Sequence, residues 1–417
     1  MRKNFLFFLL ALTIVTQLSA DTFIVTKTGD SFDLNCDADC SLREAIEASN
    51  NNAGFDTVIL PAGTYVLSLA GAGEDANQTG DLDITDDLFI EGAGQSSTVI
   101  DADGIDRVLD ILNGMVEILD VTITGGDGTV DNVEGGGIAN DDTLTLRRCT
   151  VAENQADGGG GIENNGDLTL IDSTVSNNTA ISADGGGIGN NATMTLNRVT
   201  LSGNDATPGG EEGGGISTSH FSAAVSLTNC TLSGNQAGAG GGIAIGSGVV
   251  QMLNCTIADN IAIEGPGVHN RSTLSFEPTN TIVADGCSSA VDTVSGGGNM
   301  EAGDTCGFTD TSDQANVGAA ALNLGPLADN GGFTRTHALL LGSAAIDSAL
   351  NNACPAEDQR DIMRPIDGDG DMVAICDIGA YEAESLAPVP TLSVWQLLLL
   401  AALMACFLVK GVLRVHL

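Results

Sequence analysis

Residues 143–156 read TLTLRRCTVAENQA and residues 167–180 read DLTLIDSTVSNNTA, and further copies follow as TMTLNRVTLSGNDA at 193–206, AVSLTNCTLSGNQA at 224–237 and VVQMLNCTIADNIA at 249–262. The position of Cys149 recurs at Ser173, Val199, Cys230 and Cys255, so successive units are 24, 26, 31 and 25 residues long. Within each copy, apolar residues alternate with polar ones over a few positions and stop at Gly, Asn or Asp. That period of two specifies short strands and excludes a helical repeat. Three short strands and three turns per unit make one coil of a parallel β-helix, with coils ~4.8 Å apart. A single coil buries too little apolar surface to fold alone, so like residues must stack on like.

The stacking is visible as columns. Leu144, Leu168, Met194, Val225, Val250 and Leu274 form one. Leu146, Leu170, Leu196, Leu227, Met252 and Phe276 form a second, and Val151, Val175, Leu201, Leu232, Ile257 and Ile282 a third. Asn154, Asn178, Asn204, Asn235 and Asn260 share a position just after the third strand. Asn tolerates left-handed turns, and stacked amides can bond from coil to coil, so this column reads as a structural ladder. Each copy is preceded by a Gly-rich turn running into an aliphatic residue at Ile138, Ile162, Ile188, Ile216, Ile243 or Val268. Without a following helix or a nearby Lys, such turns are solenoid corners and not phosphate cradles.

Composition agrees. Gly is plentiful at 55 of 417 residues, aromatic residues are only 4%, and 55 acidic groups face 14 Lys and Arg for a net charge of -41. Nucleic acid is excluded as a partner, because its binding needs clustered Lys and Arg.

The chain resolves into five regions: a signal peptide at 1–20, an N-terminal cap at 21–79, the repeats at 80–320, a C-terminal domain at 321–385 and a tail at 386–417. Arg2 and Lys3 precede an apolar run from Phe5 to Val15 that ends near Ser19-Ala20, the pattern of a Sec secretory signal. In CSLREAIEASN at 40–50, Ser41 and Glu44 form a capping box, which predicts a short helix closing the end of the solenoid. This segment resembles the CSLREA motif of exported β-helix proteins. The stretch from Gly325 through Thr336-His337-Ala338-Leu339, Asp358-Gln359-Arg360 and Arg364-Pro365 to Cys376-Asp377-Ile378-Gly379-Ala380-Tyr381-Glu382 resembles the choice-of-anchor Q domain. Val389-Pro390-Thr391-Leu392-Ser393-Val394-Trp395, the apolar run Leu397–Val409 and Lys410 resemble an IPTL-CTERM sorting signal. The Gly-Gly-Gly-Ile and Asn-ending units resemble polymorphic outer-membrane protein repeats. Together these imply an all-β, right-handed, single-stranded parallel β-helix of the pectin-lyase-like class, with a short N-terminal capping helix and an irregular C-terminal cap. They also imply export to a Gram-negative cell surface, the outer membrane or the medium, with the tail engaging an exosortase-type sorting enzyme or the membrane.

An oxidising exterior permits disulfides, and Cys36 with Cys40, Cys287 with Cys306 and Cys354 with Cys376 are spaced for local bridges. Cys149, Cys230 and Cys255 belong to an inward column, where Cys230 and Cys255 lie one coil apart and close enough to bond. Asp367, Asp369 and Asp371 alternate with Gly in a short acidic loop, a spacing that suits calcium. Candidates for catalysis are thin. Asp86-Asp87 and Asp141-Asp142 are adjacent carboxylates, no Lys occurs between 80 and 285, and His220 and His269 read as isolated surface residues. The residues therefore lead to a non-catalytic surface protein with adhesion, matrix or interaction roles, whose partner is a surface or matrix polysaccharide. A polysaccharide lyase or glycoside hydrolase on the same scaffold is the alternative.

Overall fold

A computed structural model describes residues 20–130, 132–272, 275–289 and 293–384. The expected signal peptide and sorting tail lie outside the described residues. The chain winds into a parallel β-helix with three long sheets, two of ten strands and one of nine, in which each strand pairs with its counterpart one coil away. Sheet A carries the five-residue strands, such as Thr143–Arg147, with Leu144 and Leu146 inward; sheet B carries Thr150–Ala152 and its equivalents; sheet C carries Ile138–Asn140 and its equivalents. The coils extend beyond the part of the sequence where the repeat is legible, because sheet A begins at Thr22–Ile24 and sheet B ends at Met300–Glu301.

The registers match the columns. Leu144 lies beside Leu168, Leu168 beside Met194, Met194 beside Val225 and Val225 beside Val250. The sixth unit departs. Val250 pairs with Phe276 and Met252 with Pro278, while Ile257 pairs with Val283 and Thr256 with Ile282. That unit is 26 residues long throughout, so spacing carried over from its predecessor slips by one or two positions. Leu274 lies outside the described residues.

A single left-handed residue turns sheet A into sheet B in each coil: Arg148, Asp172, Arg198, Asn229 and Asn254 all have φ between 49 and 58°. Short polar side chains are the usual occupants of that conformation, and the long Arg side chains there find a partner one coil away. Arg148 binds Asp120 at 2.6 Å and Arg198 binds Asp172 at 2.5 Å.

After sheet B runs the expected amide ladder. Asn204 Oδ1 accepts from the backbone N–H of Asn178 at 3.1 Å and from its Nδ2 at 3.0 Å, while Asn204 Nδ2 donates to Val175 O at 3.0 Å and to Asn235 Oδ1 at 2.9 Å. The pattern continues to Asn260 and ends on the Asp285 carboxylate. A second, shorter ladder links Asn140, Asn164 and Asn190 through amide bonds of 2.7 Å. Glycine is required where sheet B swings into sheet C: a Cβ on Gly161 would stand 2.6 Å from Gly187 O and 2.8 Å from Asn178 Nδ2.

The predicted helix spans Leu42–Asn50 and its capping box is formed, with Ser41 N–H donating to Glu44 Oε2 at 2.8 Å. Leu42, Ala45 and Ile46 close the apolar column. Arg43 is wholly buried; it donates to Asp30 Oδ1 at 2.9 Å, Asp81 O at 2.6 Å and Gly80 O at 2.7 Å, and so fixes the entry to the first strand of sheet C. At the other end, the antiparallel pair Leu324–Ala328 and Thr336–Leu339 lies against sheet B. It is tied there by His337, which contacts Ser233 Oγ at 2.9 Å, and by Gln359, which donates to Thr200 Oγ1 at 2.8 Å. The three expected disulfides are formed. Cys149, Cys230 and Cys255 are free and buried, so the pair one coil apart remains unbridged.

Candidate functional site

Sheet C is built from three-residue strands whose first and last side chains point inward, leaving the middle one outward. Register places these middle residues in a column: Asp83 beside Asp110, Asp110 beside Ala139, Ala139 beside Glu163, and Glu163 beside Gly189. The outward groups are nevertheless covered, Asp83 to 1% exposure and Asp110 and Glu163 to 5%. Around Asp83, the connecting segment supplies the backbone N–H of Asn77, which donates to Asp83 Oδ2 at 2.7 Å. Asp83 Oδ1 has no hydrogen-bond partner among the described residues.

Burial disfavours the charged form of a carboxyl, and neighbouring negative charge adds to the effect. Burial raises Asp83 to about 7 and Asp110 to about 6, the latter held down by the Arg107 guanidinium 3.3 Å away. Asp81, ion-paired with Arg107 at 2.7 Å, is raised to about 8 by burial and by the charge of Asp83. Glu163 is raised to about 8 by burial and then by Glu134, against the opposing effect of Asn191, which donates to Glu163 Oε1 at 2.7 Å. A Cβ at Gly189 would stand 2.0 Å from Glu163 Oε2, so glycine there makes room for the carboxyl. Glu163 borders a small cavity of about 130 Å³ with Glu134, Asp184, Asn191 and Ser219.

The surface therefore holds two carboxyls of different acidity, Asp110 and Glu163, separated by the small Ala139. It also gathers three carboxylates, because one oxygen from each of Asp75, Asp83 and Asp110 lies within 4.8 Å of the others, a grouping with the ligand chemistry of a cation cradle. Of the residues singled out in the sequence, Asp141 lies beside this column: its charge raises both Asp110 and Glu163, and its carboxylate accepts from Asn165 at 3.0 Å. Asp142, Asp86 and Asp87 serve the backbone, accepting from Gly114 N–H at 3.0 Å, Asp87 N–H at 2.9 Å and Met115 N–H at 2.7 Å respectively.

The acidic loop near the C-terminus gathers Asp367 and Asp369 with Asp347, a residue distant in sequence, whereas Asp371 stands outside the group. Asp347 and Asp367 already accept backbone N–H groups of the loop, Asp347 from Gly368 at 3.0 Å and Asp367 from Gly370 at 2.7 Å. His269 is corrected from a surface residue to a buried member of the sheet C column, beside Ala244, with Nδ1 lacking a partner among the described residues. Neither Asp83, Asp110 nor Glu163 was singled out in the sequence. The signal was present in the identical triplets Leu82-Asp83-Ile84 and Leu109-Asp110-Ile111, which fall too early in the chain for the repeat columns to reach.

No family model matches the chain, and no curated protein matches it in sequence. The fold is similar to that of pectate lyase Pel9A, with a TM-score of 0.51 and 16% identity over 88% of this chain and 98% of that one. The chain has the right-handed parallel β-helix fold. The A-modules of the Azotobacter vinelandii mannuronan C-5 epimerases AlgE6 and AlgE4 also align, at TM-scores of 0.30 and 0.33 and 18% identity, over 62 and 63% of this chain and 84 and 87% of theirs. The expectation of a non-catalytic chain does not stand. It rested on thin candidates, two adjacent acid pairs, no Lys between 80 and 285 and two isolated histidines; the sheet C column brings carboxyls together from different coils, on a fold similar to that of a pectate lyase.

Proposed function

We propose that this chain is a polysaccharide-active enzyme, a glycoside hydrolase whose reacting surface is the outward column of sheet C. The observation that carries the reading is the alignment of Asp110, Ala139 and Glu163. Two strand spacings separate the carboxyl-bearing residues, roughly 9.6 Å along the column. An inverting glycosidase needs carboxyl groups roughly 6.5–9.5 Å apart, so that a water fits between base and sugar. The Glu163 carboxyl turns toward Gly189 and Asn191 and the Asp110 carboxyl toward Asp75 and Asp83, so the pair stands at the wide end of that spacing, with the space over Ala139 left for sugar and water.

Roles follow from environment. Glu163, kept protonated near neutral pH, donates its proton to the glycosidic oxygen as the bond to the anomeric carbon breaks. Asp110, ionised beside Arg107, takes a proton from the attacking water, whose oxygen forms the new bond to the same carbon. The two residues end with exchanged protonation states, and solvent resets them. Asp141 sits where it tunes both groups without being spent in the reaction.

A second reading is favoured by Asp83 Oδ1, which has no partner among the described residues. Calcium held by Asp75, Asp83 and Asp110 would bridge to the carboxylates of an acidic polysaccharide and make the chain a lyase. Incubating the chain with neutral and acidic polysaccharides, with and without EDTA, separates the two. New reducing ends without ultraviolet-absorbing unsaturated products indicate hydrolysis. EDTA-sensitive unsaturated ends indicate elimination, and no product from any polysaccharide would refute both.

Export, the surface location, the sorting-enzyme or membrane partner and calcium at Asp367 and Asp369 belong to the same proposal. The three disulfides support an extracellular setting.

A further inference from the structure

A second concave surface lies away from sheet C. It is a groove of about 710 Å³ on the outer face of sheet B, walled on one side by the segment around Phe333 and Arg335. We propose that this groove binds a linear, uncharged oligosaccharide at a site separate from the reacting column.

The floor argues for a repeating, hydroxyl-rich ligand. Outward residues of sheet B stack in register, Thr150 beside Thr174 beside Thr200, and Ser176 beside Ser202 beside Ser233. Three of these hydroxyls are committed: Thr150 Oγ1 donates to Gln95 Oε1 at 3.0 Å, Thr200 Oγ1 donates to Arg335 O at 2.6 Å, and Ser233 Oγ meets His337 at 2.9 Å. Those of Thr174, Ser176 and Ser202 line the groove and find no partner among the described residues. They repeat every ~4.8 Å along the rod, close to the length of one pyranose ring, so a glycan chain running along the coils presents a fresh set of hydroxyls at each step.

The wall supplies what a sugar needs besides hydroxyls. Phe333 is 47% exposed, an apolar ring at the edge of a polar groove, and the Arg148 guanidinium lies 5.5 Å from its centroid. Sugars present C–H faces that pack on such a ring while their hydroxyls bond the floor. Arg335 is exposed and makes no ion pair among the described residues, although the chain carries 55 acidic groups, so its donors are free for ring and hydroxyl oxygens. Charge selects against acidic glycans. Asp259 and Asp329 line the same groove, and the net charge of -41 repels polyanions.

Calorimetric titration of the Glu163→Gln chain with cellohexaose, xylohexaose, mannohexaose and hexagalacturonate tests the proposal, since binding is then read without turnover. At least one neutral hexamer is expected to bind more tightly than hexagalacturonate. Phe333→Ala and Arg335→Ala should each weaken it about tenfold, and Ser176→Trp, which fills the groove, should abolish it. Both alanine changes are at exposed positions and should leave the melting temperature unchanged. Failure of every neutral hexamer to bind, tighter binding of hexagalacturonate, or affinity unaltered by Phe333→Ala and Ser176→Trp would overturn the groove while leaving hydrolysis at sheet C to its own assay.

Discussion

Replacing Asn204 by Ala isolates the contribution of the buried amide ladder. Asn204 is fully buried, and its side chain makes four hydrogen bonds, two accepted from Asn178 and one each donated to Val175 O and Asn235 Oδ1. Removing the amide leaves the Asn178 backbone N–H and one proton of its Nδ2 without an acceptor. Each orphaned buried donor costs about 1–3 kcal/mol, so the loss is about 2–6 kcal/mol. Asn165 provides the control. It belongs to an exposed row, donating to Asp141 at 3.0 Å and accepting from Asn191 at 3.0 Å, yet solvent replaces those bonds when they are removed. Asn165→Ala should therefore stay within about 0.5 kcal/mol. Equilibrium unfolding in guanidinium, followed by circular dichroism, measures both. A loss for Asn204→Ala no larger than that for Asn165→Ala would refute the ladder as a source of stability.

Other outcomes follow from the same geometry. Asp81, Asp83, Asp110 and Glu163 are all raised above their unfolded values, to about 8, 7, 6 and 8, so the folded state binds more protons than the unfolded one between pH 4 and 8. Without added cations, the melting temperature should fall as pH rises from 5 to 8, and a flat or rising profile would contradict the burial of these groups. Calcium should raise the melting temperature more at pH 8 than at pH 5, and Asp83→Asn should reduce that gain; an equal gain in the variant would remove the cradle at Asp75, Asp83 and Asp110. Gly161→Ala places a methyl 2.6 Å from Gly187 O, so it should destabilise the rod by more than about 1 kcal/mol in the same unfolding assay. Turnover should follow a bell in pH, rising through Asp110 near 6 and falling through Glu163 near 8.

The solenoid was legible because its information is periodic. The columns through Leu144, Leu146, Val151 and Asn154 repeat in sequence as they stack in space, and the capping box of Ser41 and Glu44 is local chemistry. The reacting column was harder to read for three physical reasons. Its strands are three residues long, too short to show alternation. Their connections vary in length, so Asp110 and Glu163 stand 53 residues apart in sequence but only two strands apart in the sheet. Their burial depends on segments such as the one carrying Asn77, which belong to no repeat. The same limit hid Asp347 beside Asp367 and Asp369, and it let Asp142 pass as a candidate when its carboxylate holds a corner. The groove on sheet B was invisible for a related reason, since Phe333 and Arg335 meet Thr174 and Ser176 only after the C-terminal segment folds back over the coils.

Product release from neutral and acidic polysaccharides, compared among the unaltered chain, Glu163→Gln, Asp110→Asn and Asp142→Asn, tests the central claim most directly. The account predicts reducing ends from at least one polysaccharide, a loss of about 10²–10⁴-fold in Glu163→Gln and in Asp110→Asn, and little change in Asp142→Asn. Undiminished turnover in folded Glu163→Gln and Asp110→Asn would contradict it.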